Sequence, residues 1–428
     1  MSTDHTATKP AAGRVDVAVN TRSHRPAESR PEKPGKVALL QGPEDRRALV
    51  VMSVGHGIQH FYVAGLAVTY PFVISALHVS YGELGVVLTI AGILGGLLQG
   101  AAGLLRGASA RLVLGAQNAG LALSAILGAV APGFGLFALA RVFGALTSWP
   151  QHPVGSAYLS ERFPHRRSTV LSVHTAGGSA GTVTVPLIVA AVIAAAGWRW
   201  ALVVLTAFLA VGALLVAAAL PAEQPAPVEH SDVERVSVRE LLRNRRVIAV
   251  LAASTVAAGG RGLGTLGTFI PADLKTHLGL SAITVGAIFT VVMAASIAGP
   301  LVGGSLADRF GRRSTLVVTY MAGAAAIAAF GYSSGSMFVL VPLGLALGLL
   351  AYTESPLIQA LFSDLTSKGD ARAAFGVFFA IAYGVGSLWT ALLGWIIDTA
   401  GFPAAFATMA GSFVIAGLII AFGVRQHA

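Results

Sequence analysis

Several ionisable side chains sit inside apolar runs where a lipid-facing or core segment would carry none. Glu354 is the only carboxylate well inside such a run, since Glu83, Asp273 and Asp398 lie at run ends. A carboxylate withdrawn from water is a group that can take up and release a proton. Arg261 and Arg141 are fixed positive charges, and a guanidinium fork matches carboxylate and phosphate. They outnumber the one carboxylate, which points to an anionic or zwitterionic ligand, with Arg261 the stronger candidate and Arg141 a candidate for a structural network. A structural ion pair between Glu354 and Arg261 is the competing reading. His56 and His60 are four residues apart and share a helix face. That spacing suits metal ligation, but also a proton relay or hydrogen bonding. The chain has no cysteine and no acid near the pair on the same segment, so no metal is expected. His152 precedes Pro153, and packing and function stand equal for it.

The segments that must position these groups are apolar. Of 428 residues, 55% are hydrophobic and 11% charged, against about 25% charged in a soluble domain. A helix that crosses a bilayer needs about 20 apolar residues. Twelve such runs are present: 48–76, 82–103, 111–131, 135–158, 168–196, 198–220, 247–273, 281–305, 314–333, 336–361, 370–397 and 402–424. Residues 1–46 are polar and Pro-rich with no apolar core, which fits a disordered tail and excludes a secretory signal. Residues 221–246 form a polar linker, with a surface helix expected over 232–246. The expected fold is therefore all-α and membrane-embedded: six-helix bundles at 48–220 and 247–424, joined by the linker.

Lys and Arg settle orientation. With both termini cytosolic, 25 of the 29 fall on the cytosolic side, two (Arg199 and Lys275) face outward and two lie within helices. The net charge of +10 is thus topogenic, and nucleic acid is not an expected partner. A multi-pass protein of the cytoplasmic membrane, monomeric in the bilayer, is expected.

Intramembrane polar groups tend to face a cavity. They gather in the first and fourth helix of each half: His56, Gln59, His60 and Tyr62; Arg141, Trp149, Gln151 and His152; Arg261; Tyr352, Thr353, Glu354 and Gln359. The third and sixth helices of each half read as apolar supports. Trp149, Tyr62 and Tyr352 suit an amphipathic ligand, with aromatic packing as the plain alternative.

Between two apolar runs lies the charged loop Gly303 to Arg313. Gly304 and Gly311 are seven apart, as are Gly100 and Gly107, where Leu104 replaces Asp308. An intact and an eroded copy indicate duplication. The stretch Gly304-x-Leu-Ala-Asp308-Arg309-x-Gly311-Arg312-Arg313 resembles the loop signature of the major facilitator superfamily of secondary transporters. Arg141-x-x-Gly144 and Gly177-Gly178-x-x-Gly181 with Pro186 resemble further motifs of that superfamily, imperfectly. Within it the chain is similar to the fosmidomycin resistance efflux group through Ser53-x-x-His56, Pro71, Ser80-Tyr81-Gly82-Glu83-Leu84-Gly85, Leu98-Gln99, His152-Pro153 and Thr268-Phe269-Ile270-Pro271. It departs where that group has acids: here stand His60, Val154 and Leu104.

The resemblance implies alternating access by two bundles rocking about a midplane site. The implied activity is proton-coupled export of a small anionic or amphipathic compound. A proton-coupled uptake symporter of an organic anion, or a sensor that binds without carrying, remains an alternative. Asp308 is expected to meet the start of the fifth helix at Ser168 and Thr169, where a helix dipole favours negative charge. The implied partners are a small molecule, protons and lipid, with neither enzymatic chemistry nor a cofactor.

Overall fold

A computed structural model describes residues 42–100, 108–222, 241–366 and 371–424. Nearly all of the tail, the eroded loop after Gly100, and most of the linker with its expected surface helix lie outside these residues. With no water in a bilayer to satisfy N–H and C=O groups, apolar runs close their hydrogen bonds internally as helices. The first half contains α1 (Pro43–Leu77), α2 (Tyr81–Gly100), α3 (Ala110–Ala129), α4 (Phe134–Ser148), α5 (Gln151–Arg162), α6 (Arg167–Ala196) and α7 (Trp198–Ala219). The second contains α8 (Arg245–Ala257), α9 (Gly267–Ala272), α10 (Ala282–Phe310), α11 (Arg312–Gly331), α12 (Met337–Ala351), α13 (Glu354–Thr366), α14 (Ala371–Phe378) and α15 (Leu388–Gly423).

Ten described segments are long and apolar enough to cross a membrane. One of them, Ala374–Gly423, reverses at Gly401 and makes two passes. The interrupted pair α4–α5 makes a further pass, giving twelve among the described residues. The reversal at Gly401 (φ 84°, ψ 173°) repeats that at Gly197 (φ 87°, ψ 170°), each just before an aromatic residue that starts the next helix. Both positions need positive φ, which glycine adopts without a Cβ penalty. The same turn at the same place in each half is backbone evidence for the duplication.

Three passes read as continuous from the sequence are broken, each beside the cavity. In the first half, Pro150 and Pro153 lack N–H groups, and the pass turns at Trp149 and Pro150 between α4 and α5. In the second, Pro356 leaves the Tyr352 carbonyl without its helical donor, and α12 gives way to α13 there. The third break lies in Gly259-Gly260-Arg261-Gly262-Leu263-Gly264. Arg261 is extended (φ −67°, ψ 133°) and Gly264 non-helical (φ −100°, ψ −107°). Thr265 Oγ1 recovers the freed carbonyls of Ala258 and Gly259 at 2.9 and 2.7 Å.

Within the first half α1 packs on α6 and α7; within the second, α11 and α8 pack on α15. The halves meet where α2 runs against α15 and α6 against α10. The α1–α6 contact explains the glycine-rich stretch of α6. A Cβ at Gly177 would overlap the Ser53 carbonyl, one at Gly181 the Gly57 carbonyl, and one at Gly178 would lie 2.7 Å from the His56 ring. Only bare backbone lets these helices touch along that line.

Candidate functional site

Between the halves lies a cavity of about 820 Å³. Of the residues singled out from the sequence, Tyr62, Arg141, His152, Arg261, Tyr352, Glu354 and Gln359 line it. His56 and Gln59 are buried in helix packing, and His60, half-buried, is not among the lining residues. Gln151 is held inside the first half by the Gln117 side-chain amide at 2.9 Å. Thr353 bonds back to the Leu349 carbonyl and packs on Gly303, and Trp149 is half-buried at the α4–α5 turn.

The unwound glycine segment aims Arg261 at Glu354, which is wholly buried. Arg261 Nε donates to Glu354 Oε1 at 2.9 Å, and Tyr320 Oη donates to Oε2 at 3.1 Å. The other guanidinium nitrogens donate to the Ala382 and Ser254 carbonyls and to Ser254 Oγ, at 2.7–3.2 Å. The Tyr383 ring faces the guanidinium at 4.3 Å. Both charges are therefore paired and hydrogen-bonded, as burial demands. Tyr320 stands on α11, which the sequence marked as a support without polar groups. Candidates were confined to the first and fourth helices of each half, so Tyr320 was passed over. Tyr383, in the fifth helix of its half, was passed over in the same way; Ser355, joined to it at 2.6 Å and with it bracketing Gln359, stands on the fourth helix and was not selected.

Arg141 differs. Its Nη1 donates to Tyr62 Oη at 2.6 Å, and Tyr62 is held in turn by Ser124 and through it by the Ala140 carbonyl. Among the described residues no carboxylate pairs with it. The cavity thus carries one neutralised guanidinium and one that only hydroxyls address. The sequence favoured Arg261 as the ligand group; in the structure Arg261 is the arginine paired with a carboxylate and Arg141 the one that is not.

A histidine cluster occupies the cavity wall of the first half. His56 Nδ1 lies 3.0 Å from the His174 carbonyl oxygen, and its Nε2 lies 3.1 Å from His60 Nε2. His60 Nδ1 meets Thr182 Oγ1 at 2.9 Å. The His174 ring stacks on His56 with centroids 4.3 Å apart, and His152 stands edge-on at 5.2 Å. His174 and Thr182, on α6, were not selected from the sequence.

The two ends of the cavity are unlike. At the end bearing Tyr81, the halves are latched. Asp398 accepts from the Tyr81 and Gly82 backbone N–H groups, at 2.9 and 2.7 Å, and so caps α2 from the other half. Ser80 and Glu83 cap the same helix reciprocally. Tyr81 Oη meets Thr276 at 2.6 Å, and Thr89 donates to the Ser387 carbonyl at 2.8 Å. At the end bearing loop 303–313, Asp308, Ser168 and Thr169 are all exposed, and among the described residues the contact expected between them is not made. Arg312 pairs with Asp364 and donates to the Ala360 carbonyl, Arg313 donates to the Ala421 carbonyl, and Arg309 is exposed above Phe310. Gly311 (φ 86°) makes the turn, whereas Gly304 faces open space.

A family model described as the Major Facilitator Superfamily matches residues 52–265 and 253–428. The chain belongs to the major facilitator superfamily. It is a transporter rather than an enzyme. An uncharacterized MFS-type transporter of Bacillus subtilis, YfnC, is 23% identical over 363 residues, 82% of this chain and 87% of that one. The MFS-type transporter pytF of Aspergillus terreus is 26% identical over 198 residues, 45% of this chain and 64% of that one. Among solved structures, the nucleoside transporter NupG superposes with TM-score 0.71 at 15% identity, over 89% of this chain and all of that one. A bacterial homologue of the lysosomal transporter Spinster, inward-facing and unoccupied, gives 0.68 at 15% identity, over 89% and 95%. At such identities these superpositions speak for the superfamily fold alone. Asp398 thus joins the halves at one end of the cavity, while at the other Asp308 makes no contact with Ser168 or Thr169 among the described residues.

Proposed function

We propose that this superfamily member carries a small organic anion in step with a proton, with Arg141 as the ligand-facing charge and Glu354 as the proton site. The observation that carries this reading is the contrast between the two cavity arginines: Arg261 is neutralised by Glu354, while Arg141 has hydroxyl partners alone. A carboxylate or phosphate ester fits a guanidinium fork of that kind. The distribution of Lys and Arg supports a cytosolic placement of loop 303–313 and of the open cavity end.

The pair also bears on direction. A proton on Glu354 discharges the carboxylate and releases Arg261 Nε, so the cavity gains positive charge as the proton binds. An anion and a proton then assist each other's binding, which is the logic of co-transport. Export against a proton, the reading supported by resemblance to the fosmidomycin resistance group, needs the two to exclude each other, and so suits a cationic or amphipathic compound. Flux in proteoliposomes under pH gradients of both signs, screened over anionic, zwitterionic and cationic compounds, separates the readings. Anion accumulation on the proton-receiving side supports the proposal. Accumulation of cationic compounds on the proton-donating side supports export, and absence of any flux with specific binding retained identifies a sensor.

A further inference from the structure

The histidine cluster turns two ring nitrogens of α1 toward each other at hydrogen-bond distance. The His174 carbonyl oxygen can only accept, so His56 Nδ1 carries the ring proton and His56 Nε2 is a lone pair. Thr182 Oγ1 lies 3.0 Å from the Gly178 carbonyl oxygen and 2.9 Å from His60 Nδ1, and its one proton serves either acceptor. With the proton on the carbonyl, Thr182 accepts from His60 Nδ1 and His60 Nε2 is a lone pair as well. The two Nε2 atoms, 3.1 Å apart, then present two lone pairs to one point; in the other tautomer His60 Nε2–H bridges them. A cation selects the first arrangement.

We infer that His56, His60 and His152 bind a borderline divalent transition-metal ion, of the zinc, nickel and cobalt class, on the cavity wall. Ligand nitrogens of the three lie within 4.8 Å of one another. Bonds of about 2.0–2.1 Å to a tetrahedral ion place nitrogens about 3.3 Å apart. The His56–His60 pair already has that spacing. His152 is exposed to the cavity and has no hydrogen-bond partner among the described residues, so a side-chain movement of about 1.5 Å at most brings it in. For His56 and His60 the outer contacts are those a metal-binding imidazole requires: their Nδ1 atoms meet the His174 carbonyl and Thr182 Oγ1, which fixes the tautomer and aims Nε2. Gly178 leaves the room the His56 ring occupies, since a Cβ there would lie 2.7 Å from it. Three neutral imidazoles suit this class of ion and not magnesium or calcium, which prefer oxygen. The fourth position faces the cavity, where a water or an anionic donor completes the shell. The sequence spacing of His56 and His60 supplied two of the three ligands; the third comes from the Trp149–Pro150 turn that presents α5, which only the folded chain places there.

The site stands apart from what the cavity carries, so it is tested by binding alone. Tag-free protein in detergent is stripped with a chelator and titrated with cobalt chloride, following visible d–d absorption, and then with zinc in competition. One equivalent with a low-coordinate cobalt spectrum is expected, displaced by zinc. His60→Ala and His152→Ala should each weaken binding at least tenfold, while His165→Ala, in an exposed loop, leaves it unchanged. Thr182→Val retains all three ligands but removes the partner of His60 Nδ1, and should weaken binding about 10- to 100-fold. It also serves where a ligand variant fails to fold, which thermal unfolding of the metal-free proteins reveals. Binding indifferent to His60→Ala, His152→Ala and Thr182→Val overturns the proposal. So does absence of stoichiometric binding, which would leave a shared proton between His56 and His60.

Discussion

Asp398 caps a helix that belongs to the other half of the molecule, so its loss should bias the machine itself. In Asp398→Ala the Tyr81 and Gly82 N–H groups lose their acceptor, and the first turn of α2 loses an opposing negative charge. Removing a capping side chain costs about 1 kcal/mol. A carboxylate at a helix N-terminus contributes roughly a further 0.3–1 kcal/mol. Both bonds lie near solvent, so the larger figures for buried charges do not apply. About 1.5 kcal/mol in total is a shift of roughly tenfold in an equilibrium constant. The capping box of Ser80 and Glu83 stays intact and keeps α2 helical, so the loss falls on the contact between halves. If the state open at the Tyr81 end is about 1% populated, it should rise to roughly 10%. The native chain has no cysteine, so spin labels at Ala76→Cys and Ala400→Cys, both exposed, report without background. Double electron–electron resonance should show a longer-distance component growing about tenfold in the Asp398→Ala form. Superposable distance distributions, with and without Asp398, would refute the latch.

Glu354→Gln keeps the shape of the Arg261 pair and removes its charge. Flux driven by a pH gradient should fall at least tenfold, whereas exchange of labelled for unlabelled substrate persists; full proton-driven accumulation would rule out Glu354 as the proton site. Arg261→Met leaves Glu354 buried and unpaired, a change that costs about 3–5 kcal/mol, and should lower the detergent melting temperature far more than Arg261→Met with Glu354→Leu in the same chain. Asp308→Asn should reduce transport with membrane abundance near that of the parent if, as we propose, Asp308 meets the start of α6 when its end of the cavity closes; unchanged transport would refute that role. Gly181→Val should destabilise the first half by about 1–3 kcal/mol or more, since a Cβ there overlaps the Gly57 carbonyl; an unchanged melting curve would contradict the α1–α6 packing.

Much of the architecture is legible in the order of the amino acids. Apolar run length sets which segments cross a membrane, and the loop at 303–313 carries a superfamily signature that packing does not alter. Of the polar groups concentrated in the first and fourth helices of each half, seven line the cavity. What the sequence could not supply was partnership. Arg261 and Glu354 are 93 residues apart, His56 and His174 are 118, and Tyr81 and Asp398 are 317. A helix surrounded by lipid and by other apolar helices shows little amphipathic contrast, so its sequence scarcely records which way each face turns. Rotation about each axis is set by close backbone contacts such as Gly57 on Gly177 and Gly181, and by where proline and glycine interrupt a pass. Those rotations decided that Glu354 neutralises Arg261 and leaves Arg141 open. They also turned two histidines on one helix into a cluster of four, because α5 and α6 bring His152 and His174 to the same side of α1.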